Sequence, residues 1–267
     1  AVKDIASNTL HSDLLEEATG SLVWLNDNKT FIYTLLDEAF RSYKVLRHTL
    51  GEDQKKDLLL LHENDESYSI GIDKTKDNSI LLIGIESSTT SEFHFANADG
   101  DCNSLTIFAP RVHEIEYQID AANGNFYIKT NKNAKNFKLM SVPIVNFSSN
   151  EWSEVIPHRP DTTIESFEVF NTYIVVKETT LGLEQFRVQN LATQEVRYIN
   201  FPEPTYTISH GRNFMPNAKE FRLGYSSPVT PPSVIDYDFV SGKISTVKQT
   251  EIPTYKKEDY EAKRVLV

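Results

Sequence analysis

Of the residue types that do chemistry, this sequence holds 38 carboxylates, seven histidines and a single cysteine, and their spacing limits what they could do. The histidines stand at 11, 48, 62, 94, 113, 158 and 210, with no His-x-x-x-His pair and no His/Cys pair at metal-holding spacing. No metal and no cofactor is therefore expected. No serine sits in a Gly-x-Ser-x-Gly segment, so the strained strand-to-helix turn that presents a nucleophile is missing. No glycine-rich phosphate loop follows a strand. Cys102 lies in the acidic turn Gly100-Asp101-Cys102, where neighbouring carboxylates disfavour its thiolate. Most Asp and Glu residues fall in turns, where they bond to local backbone. Glu116 and Glu165, near two strand starts, could do acid/base work on a sugar if they faced each other at a suitable separation.

The elements that would position these groups are repeated. A short apolar strand recurs at Lys44-Val45-Leu46-Arg47-His48, Glu92-Phe93-His94-Phe95, Asn136-Phe137-Lys138-Leu139, Gln185-Phe186-Arg187-Val188 and Ser233-Val234-Ile235-Asp236, every 44 to 49 residues or so. Each copy runs through a polar turn, at 51–53, 98–101, 148–150, 192–194 and 241–243, into a second apolar strand. Each is preceded by a further strand pair, joined in one case by Asn123-Gly124, the strongest short hairpin signal in the chain. Four strands per repeat with no helical period predicts an all-β fold, a β-propeller fragment of about five four-stranded blades. Val2-Lys3-Asp4-Ile5-Ala6-Ser7 reads like Val188-Gln189-Asn190-Leu191-Ala192-Thr193, so a leading strand pair over 2–14 is expected to be the second half of a blade whose first half is missing. Residues 1–252 read as an incomplete propeller. Residues 253–267, charged and starting at Pro253, read as a linker with a new strand beginning at Arg264-Val265-Leu266-Val267.

The net charge of −11 argues against nucleic acid, whose phosphates need a basic footprint. It fits an ordinary acidic protein and equally a negative field that favours cationic ligands. There is no apolar run long enough for a membrane span and no signal-peptide pattern, so no membrane partner is expected. One cysteine fits a reducing compartment and a cytoplasmic location.

Propeller geometry says where function would sit. The loop between a blade's second and third strands shares one rim with the loop that enters the next blade. In this chain those loops are long and polar, which suggests a rim that meets a ligand or partner. Arg41, Glu86, Thr90, Ser91, Glu92, Asn131, Asn136, Arg159, Tyr225 and Ser226 are the candidates there. The plainer reading is that such Ser, Thr and Asn side chains satisfy loop backbone groups.

At these loops the sequence becomes recognisable. Thr89-Thr90-Ser91-Glu92, Thr130-Asn131-Lys132-Asn133-Ala134-Lys135-Asn136-Phe137-Lys138-Leu139, Ile156-Pro157-His158-Arg159-Pro160, Phe201-Pro202-Glu203-Pro204-Thr205-Tyr206-Thr207 and Gly224-Tyr225-Ser226-Ser227-Pro228-Val229-Thr230-Pro231-Pro232 resemble the oligopeptidase B (protease II) group of the prolyl oligopeptidase family. The resemblance extends in order along essentially the whole chain. It implies a seven-bladed propeller capping a C-terminal α/β-hydrolase domain whose Ser-Asp-His triad cleaves short peptides after Lys or Arg. The triad has no counterpart here, so the chain alone is expected to be inert toward peptides. The resemblance further implies that the ten candidates face the substrate path or the hydrolase domain. In prolyl oligopeptidases proper an Arg in the loop after the second blade strand approaches substrate; here that loop begins at Glu86, a carboxylate suited to a cationic substrate. The competing readings are a stand-alone binding propeller and a five-bladed glycoside hydrolase using Glu116 and Glu165.

Overall fold

In the computed structural model, which describes residues 2–147 and 152–265, strand follows strand with only 3-10 turns between them. A two-residue pair, β1 (Lys3–Asp4) and β2 (Thr9–Leu10), comes first. Five four-stranded sheets follow. They are β3 (Ala18–Trp24), β4 (Thr30–Leu36), β5 (Ser42–Thr49) and β6 (Leu58–His62), then β7 (Ser69–Lys74), β8 (Ile80–Glu86), β9 (Ser91–Asn97) and β10 (Thr106–Ala109). The third holds β11 (Tyr117–Ala122), β12 (Asn125–Thr130), β13 (Lys138–Pro143) and β14 (Ser153–Ile156), and the fourth β15 (Thr162–Val169), β16 (Tyr173–Thr180), β17 (Leu183–Asn190) and β18 (Val196–Tyr198). The fifth is β19 (Thr207–His210), β20 (Glu220–Ser226), β21 (Ser233–Asp238) and β22 (Ile244–Gln249). In every sheet the strands lie side by side in chain order, as the repeat predicts for blades of a β-propeller fragment.

Burial explains the repeat. The second strands of the first two blades are covered on both faces, and β4 and β8 are accordingly almost unbroken apolar runs. The fourth strand lies outermost, and all six residues of β22 are exposed. Two compact units contain these sheets, residues 1–132 with 141–153 and residues 133–140 with 154–267, the division running through the third sheet. In the first unit Ile32 and Val45 of the first blade pack with Ile70, Leu81, Ile83 and Ile85 of the second. In the second unit Val175, Phe186 and Val188 of the fourth blade pack with Phe221, Leu223, Ile235 and Tyr237 of the fifth. Within each unit these neighbouring blades thus bury their apolar faces against each other.

Turn chemistry repeats too. Asp27 accepts from the amides of Lys29 and Thr30, and Asp77 from that of Ser79. The next residues, Asn28 and Asn78, take positive φ, which asparagine tolerates. Asn123 and Gly124 are both at positive φ between the paired Ala122 and Asn125, the tight hairpin that Asn-Gly predicts. One strand start differs from expectation. Asn136 and Phe137 belong to a turn, closed by the Phe137 amide on the Ala134 carbonyl, and β13 begins at Lys138. The turn expected at 148–150 and the last two residues of the strand expected at 264–267 lie outside the described residues.

Candidate functional site at the blade loops

The loops between second and third strands hold the loops that enter the next blade, and most of the candidate residues make those ties. In the first unit Asp37 closes its own loop by accepting from the Ala39 and Arg41 amides, and pairs with the Arg41 guanidinium at 2.8 Å. Arg41 then reaches the carbonyls of Asp65 at 3.1 Å and Tyr68 at 2.9 Å, in the loop that enters β7. One blade on, Thr90 Oγ1 accepts from the Glu114 amide at 3.0 Å, and Ser91 Oγ bonds both the carbonyl and the amide of Tyr117, at 2.7 and 2.6 Å. Asn131 Oδ1 accepts from the Glu116 amide, and its Nδ2 donates to the Glu114 carbonyl. In the second unit Asn136 Nδ2 donates to the carbonyls of Arg159 and Pro160, both at 2.9 Å. These ties put both loop sets on one side of the sheets within each unit. They also give Arg41, Thr90, Ser91, Asn131 and Asn136 the plainer role of satisfying loop backbone.

Charged candidates are likewise partnered. Arg111 Nη2 bonds Glu63 Oε2 at 2.5 Å and Glu92 Oε1 at 3.3 Å, and its guanidinium lies 4.2 Å from the Tyr68 ring centre. Burial works against ionising Glu92, but hydrogen bonds from Arg111 and His94 hold its carboxyl below the usual range. Arg159 bonds Glu178 at 2.5 Å, and Glu178 has no exposed surface. Tyr225 donates to Glu203, which also accepts from Thr230 at 2.6 Å and Lys257 at 2.5 Å. Burial opposes that charge, yet Lys257, Thr230 and Tyr225 bring the Glu203 carboxyl down to about 2. Ser226 ends β20, paired with Thr207. In the tail, Tyr255 donates to the Val229 carbonyl of the fifth blade at 2.8 Å, and Arg264 to the Leu181 carbonyl of the fourth.

Glu86 differs. It is exposed at the end of β8, though crowded by protein atoms. Burial pushes its carboxyl above the usual range; Lys129 opposes the rise and Glu116 adds to it. Two carboxylates and one lysine therefore share this corner of the first unit. Beside these polar ties, three apolar side chains stand in solvent on the same loops: Phe40 (82% exposed) and Val112 in the first unit, Leu181 (71%) in the second. Among the described residues no three His, Cys, Asp or Glu side chains gather as a metal site. Glu116 is engaged with Asn131, at 2.9 Å through its amide and 3.4 Å through its carboxylate, and Glu165 lies in the other unit.

Sequence reasoning missed one constellation. Ser166 and Glu168 stand on one face of β15, and His210 on β19 lies between them. His210 Nε2 is 2.8 Å from Ser166 Oγ and Nδ1 is 2.6 Å from Glu168 Oε1. The signal available was only Ser-x-Glu on one first strand and a histidine on the next, 44 residues away.

The family model for the prolyl oligopeptidase N-terminal β-propeller domain matches residues 1–250. Dipeptidyl aminopeptidase BI of Pseudoxanthomonas mexicana is 31% identical over 98% of this chain and 36% of its own length. Protease 2 of Moraxella lacunata is 26% identical over 91% of this chain and 35% of its own. The solved oligopeptidase B from Leishmania major superposes with a TM-score of 0.91 at 28% identity, covering 98% of this chain and 39% of that one. Oligopeptidase B from Trypanosoma brucei, with covalently bound antipain, gives 0.87 at 27% identity over 92% and 36%. The chain thus spans little more than a third of the relatives it matches.

Proposed function

The chain belongs to the prolyl oligopeptidase family as N-terminal β-propeller, and we propose that it serves a serine oligopeptidase by filtering which peptides reach a catalytic domain elsewhere in the protein. The observation that carries this reading is the match over residues 1–250 to a peptidase propeller, with peptidase relatives roughly three times as long. In this reading the loop side of the blades faces the hydrolase domain. Phe40, Val112 and Leu181 suit that contact, because an apolar side chain held in solvent on an otherwise well-tied loop gains by docking. In this reading residues 253–267 are the linker toward the second domain, with Tyr255 tied to the fifth blade and Arg264 to the fourth. The rigid ties of Arg41, Thr90, Ser91, Asn131, Asn136 and Arg159 then act indirectly, by fixing the loops past which a peptide must travel.

Charge supports a basic substrate class. Glu86 and Glu116 give the loop side of the first unit a carboxylate pair only partly answered by Lys129, and the chain carries a net −11. A short peptide with Lys or Arg at the cleavage position is attracted to such a field. The test is Glu86→Lys in the full-length protein, assayed on a short Arg-containing fluorogenic peptide at low salt. Solvent screening limits the effect, so kcat/KM should fall by about tenfold or less, around 1.4 kcal/mol. Unchanged kinetics with intact folding would remove Glu86 from the substrate path.

A further inference from the structure

We infer that Ser166, His210 and Glu168 form an acyl-accepting site of the propeller itself, reactive toward activated acyl and phosphonyl esters. The protonation pattern follows from the partners. An ionised carboxylate can only accept, so Nδ1 of His210 carries the proton in its 2.6 Å bond to Glu168. In the neutral ring Nε2 is then the acceptor, and the 2.8 Å contact draws the Ser166 hydroxyl proton toward it. That is a general base aimed at a hydroxyl and oriented by a carboxylate, the arrangement that activates a nucleophile.

Three further features support reactivity over a purely structural bond. The β15–β16 register shifts between Ile164 and Ser166, and such bulges redirect a side chain out of the regular pleat. Asn213 Nδ2 donates to the same Glu168 oxygen at 3.2 Å, and the imidazole sits edge-on to Phe186 with ring centres 5.0 Å apart, so carboxylate and ring are both held. Access remains: the His210 and Glu168 side chains are 23% and 20% exposed, and Ser166 is partly exposed.

The chemistry is bounded. Ser166 Oγ attacks the carbonyl carbon of an aryl ester while its proton passes to His210 Nε2. The carbon–oxygen bond to the aryloxide breaks, the leaving group departs with that proton, and Ser166 keeps the acyl group. With an aryl fluorophosphonate the oxygen–phosphorus bond forms, the phosphorus–fluorine bond breaks and HF is released. Ser166 stands within a strand and not at a strand-to-helix elbow, so the backbone donors an elbow offers to an oxyanion are not supplied by that route. One such donor is worth about 10² to 10³ in rate. Acylation without rapid turnover is therefore expected, and peptide amides, with their poor leaving groups, are not substrates.

The experiment treats the 267-residue chain with an aryl fluorophosphonate, and separately with p-nitrophenyl acetate, and maps the modified residue by mass spectrometry. Ser166 should be modified at least tenfold faster than any other serine. Ser166→Ala should abolish that adduct, and His210→Gln should slow its formation about 100-fold, the lower end of general-base assistance. Modification of other serines at the same rate as Ser166 in the unaltered chain, a readout that needs no variant to fold, would overturn the inference. So would an unchanged rate in a folded His210→Gln or Glu168→Gln protein.

Discussion

Two histidines, one in each compact unit, have both ring nitrogens engaged, and their second partners separate a strut from a base. His48 on β5 is fully buried between Asp13 at 2.9 Å and Asp57 at 2.8 Å, side chains that are themselves 2% exposed. Both ring nitrogens lie against carboxylate oxygens, so neither faces a hydroxyl whose proton it could take. Asp13 also accepts from the Gly51 amide at 2.6 Å, and Tyr33 donates to Asp57. The cluster pins the segment before β3 to the first blade. His210 has one carboxylate and one hydroxyl, and part of its surface is open. Changing one acceptor for a hydroxyl frees a nitrogen to take a proton. The neighbourhood of a histidine, more than its burial of one face, decides what it does.

The sharpest way to break this comparison is to remove both rings. His48→Leu leaves two buried carboxylates facing each other, and removing one member of a buried charged cluster costs about 3–5 kcal/mol. A drop of about 10 °C in Tm is expected by calorimetry. His210→Leu, at a partly open site, should cost about 1 kcal/mol. Equal losses would erase the distinction.

Next in size is Glu203, whose carboxyl lies at about 2 instead of the ordinary 4.5. A depressed acid stabilises above its unfolded value and loses that contribution as pH falls through the folded one. About 3 kcal/mol should therefore be present above pH 4.5 and fade toward pH 2, read from urea midpoints. Lys257→Ala should flatten this profile and expose the tail near Tyr255 to protease. An unchanged profile would mean that the tail is not held through Glu203.

Asp120 runs the other way. Burial raises its carboxyl from 3.8 to about 6, against the help of the Ala121 amide. Its ionisation at neutral pH opposes folding, and stability should fall as pH rises from about 3.8 to about 6. Asp120→Asn should stabilise by about 1–2 kcal/mol at neutral pH, after allowing for its partial exposure. A destabilised variant would show that the carboxylate has a partner worth more than its burial costs.

The blades were legible because their signals are local and recur: apolar strands at a fixed period, Asp-Asn turns at 27–28 and 77–78, and Asn123-Gly124. The loop side was legible as a place, since chain order alone sets which loops share it. The roles of its residues were not. Ser91 and Asn136 read as candidate contact residues in sequence, yet both turn inward onto backbone of the next loop. Nothing in a single sequence tells a loop side chain that faces a ligand from one that satisfies a carbonyl. Ser166 and His210 were hidden for a related reason, because only blade-to-blade packing brings two first strands 44 residues apart into contact. Lys257 and Glu203 were hidden likewise: a charged tail reads as solvated until a buried acceptor is placed beneath it.

We propose that this propeller admits short peptides and refuses folded chains. The direct measurement is the ratio of kcat/KM, in the full-length protein, for a free Arg-containing peptide and for the same segment displayed on the surface of a folded protein. Our reading predicts cleavage of the free peptide and none of the displayed segment. Equal rates on the two would contradict it.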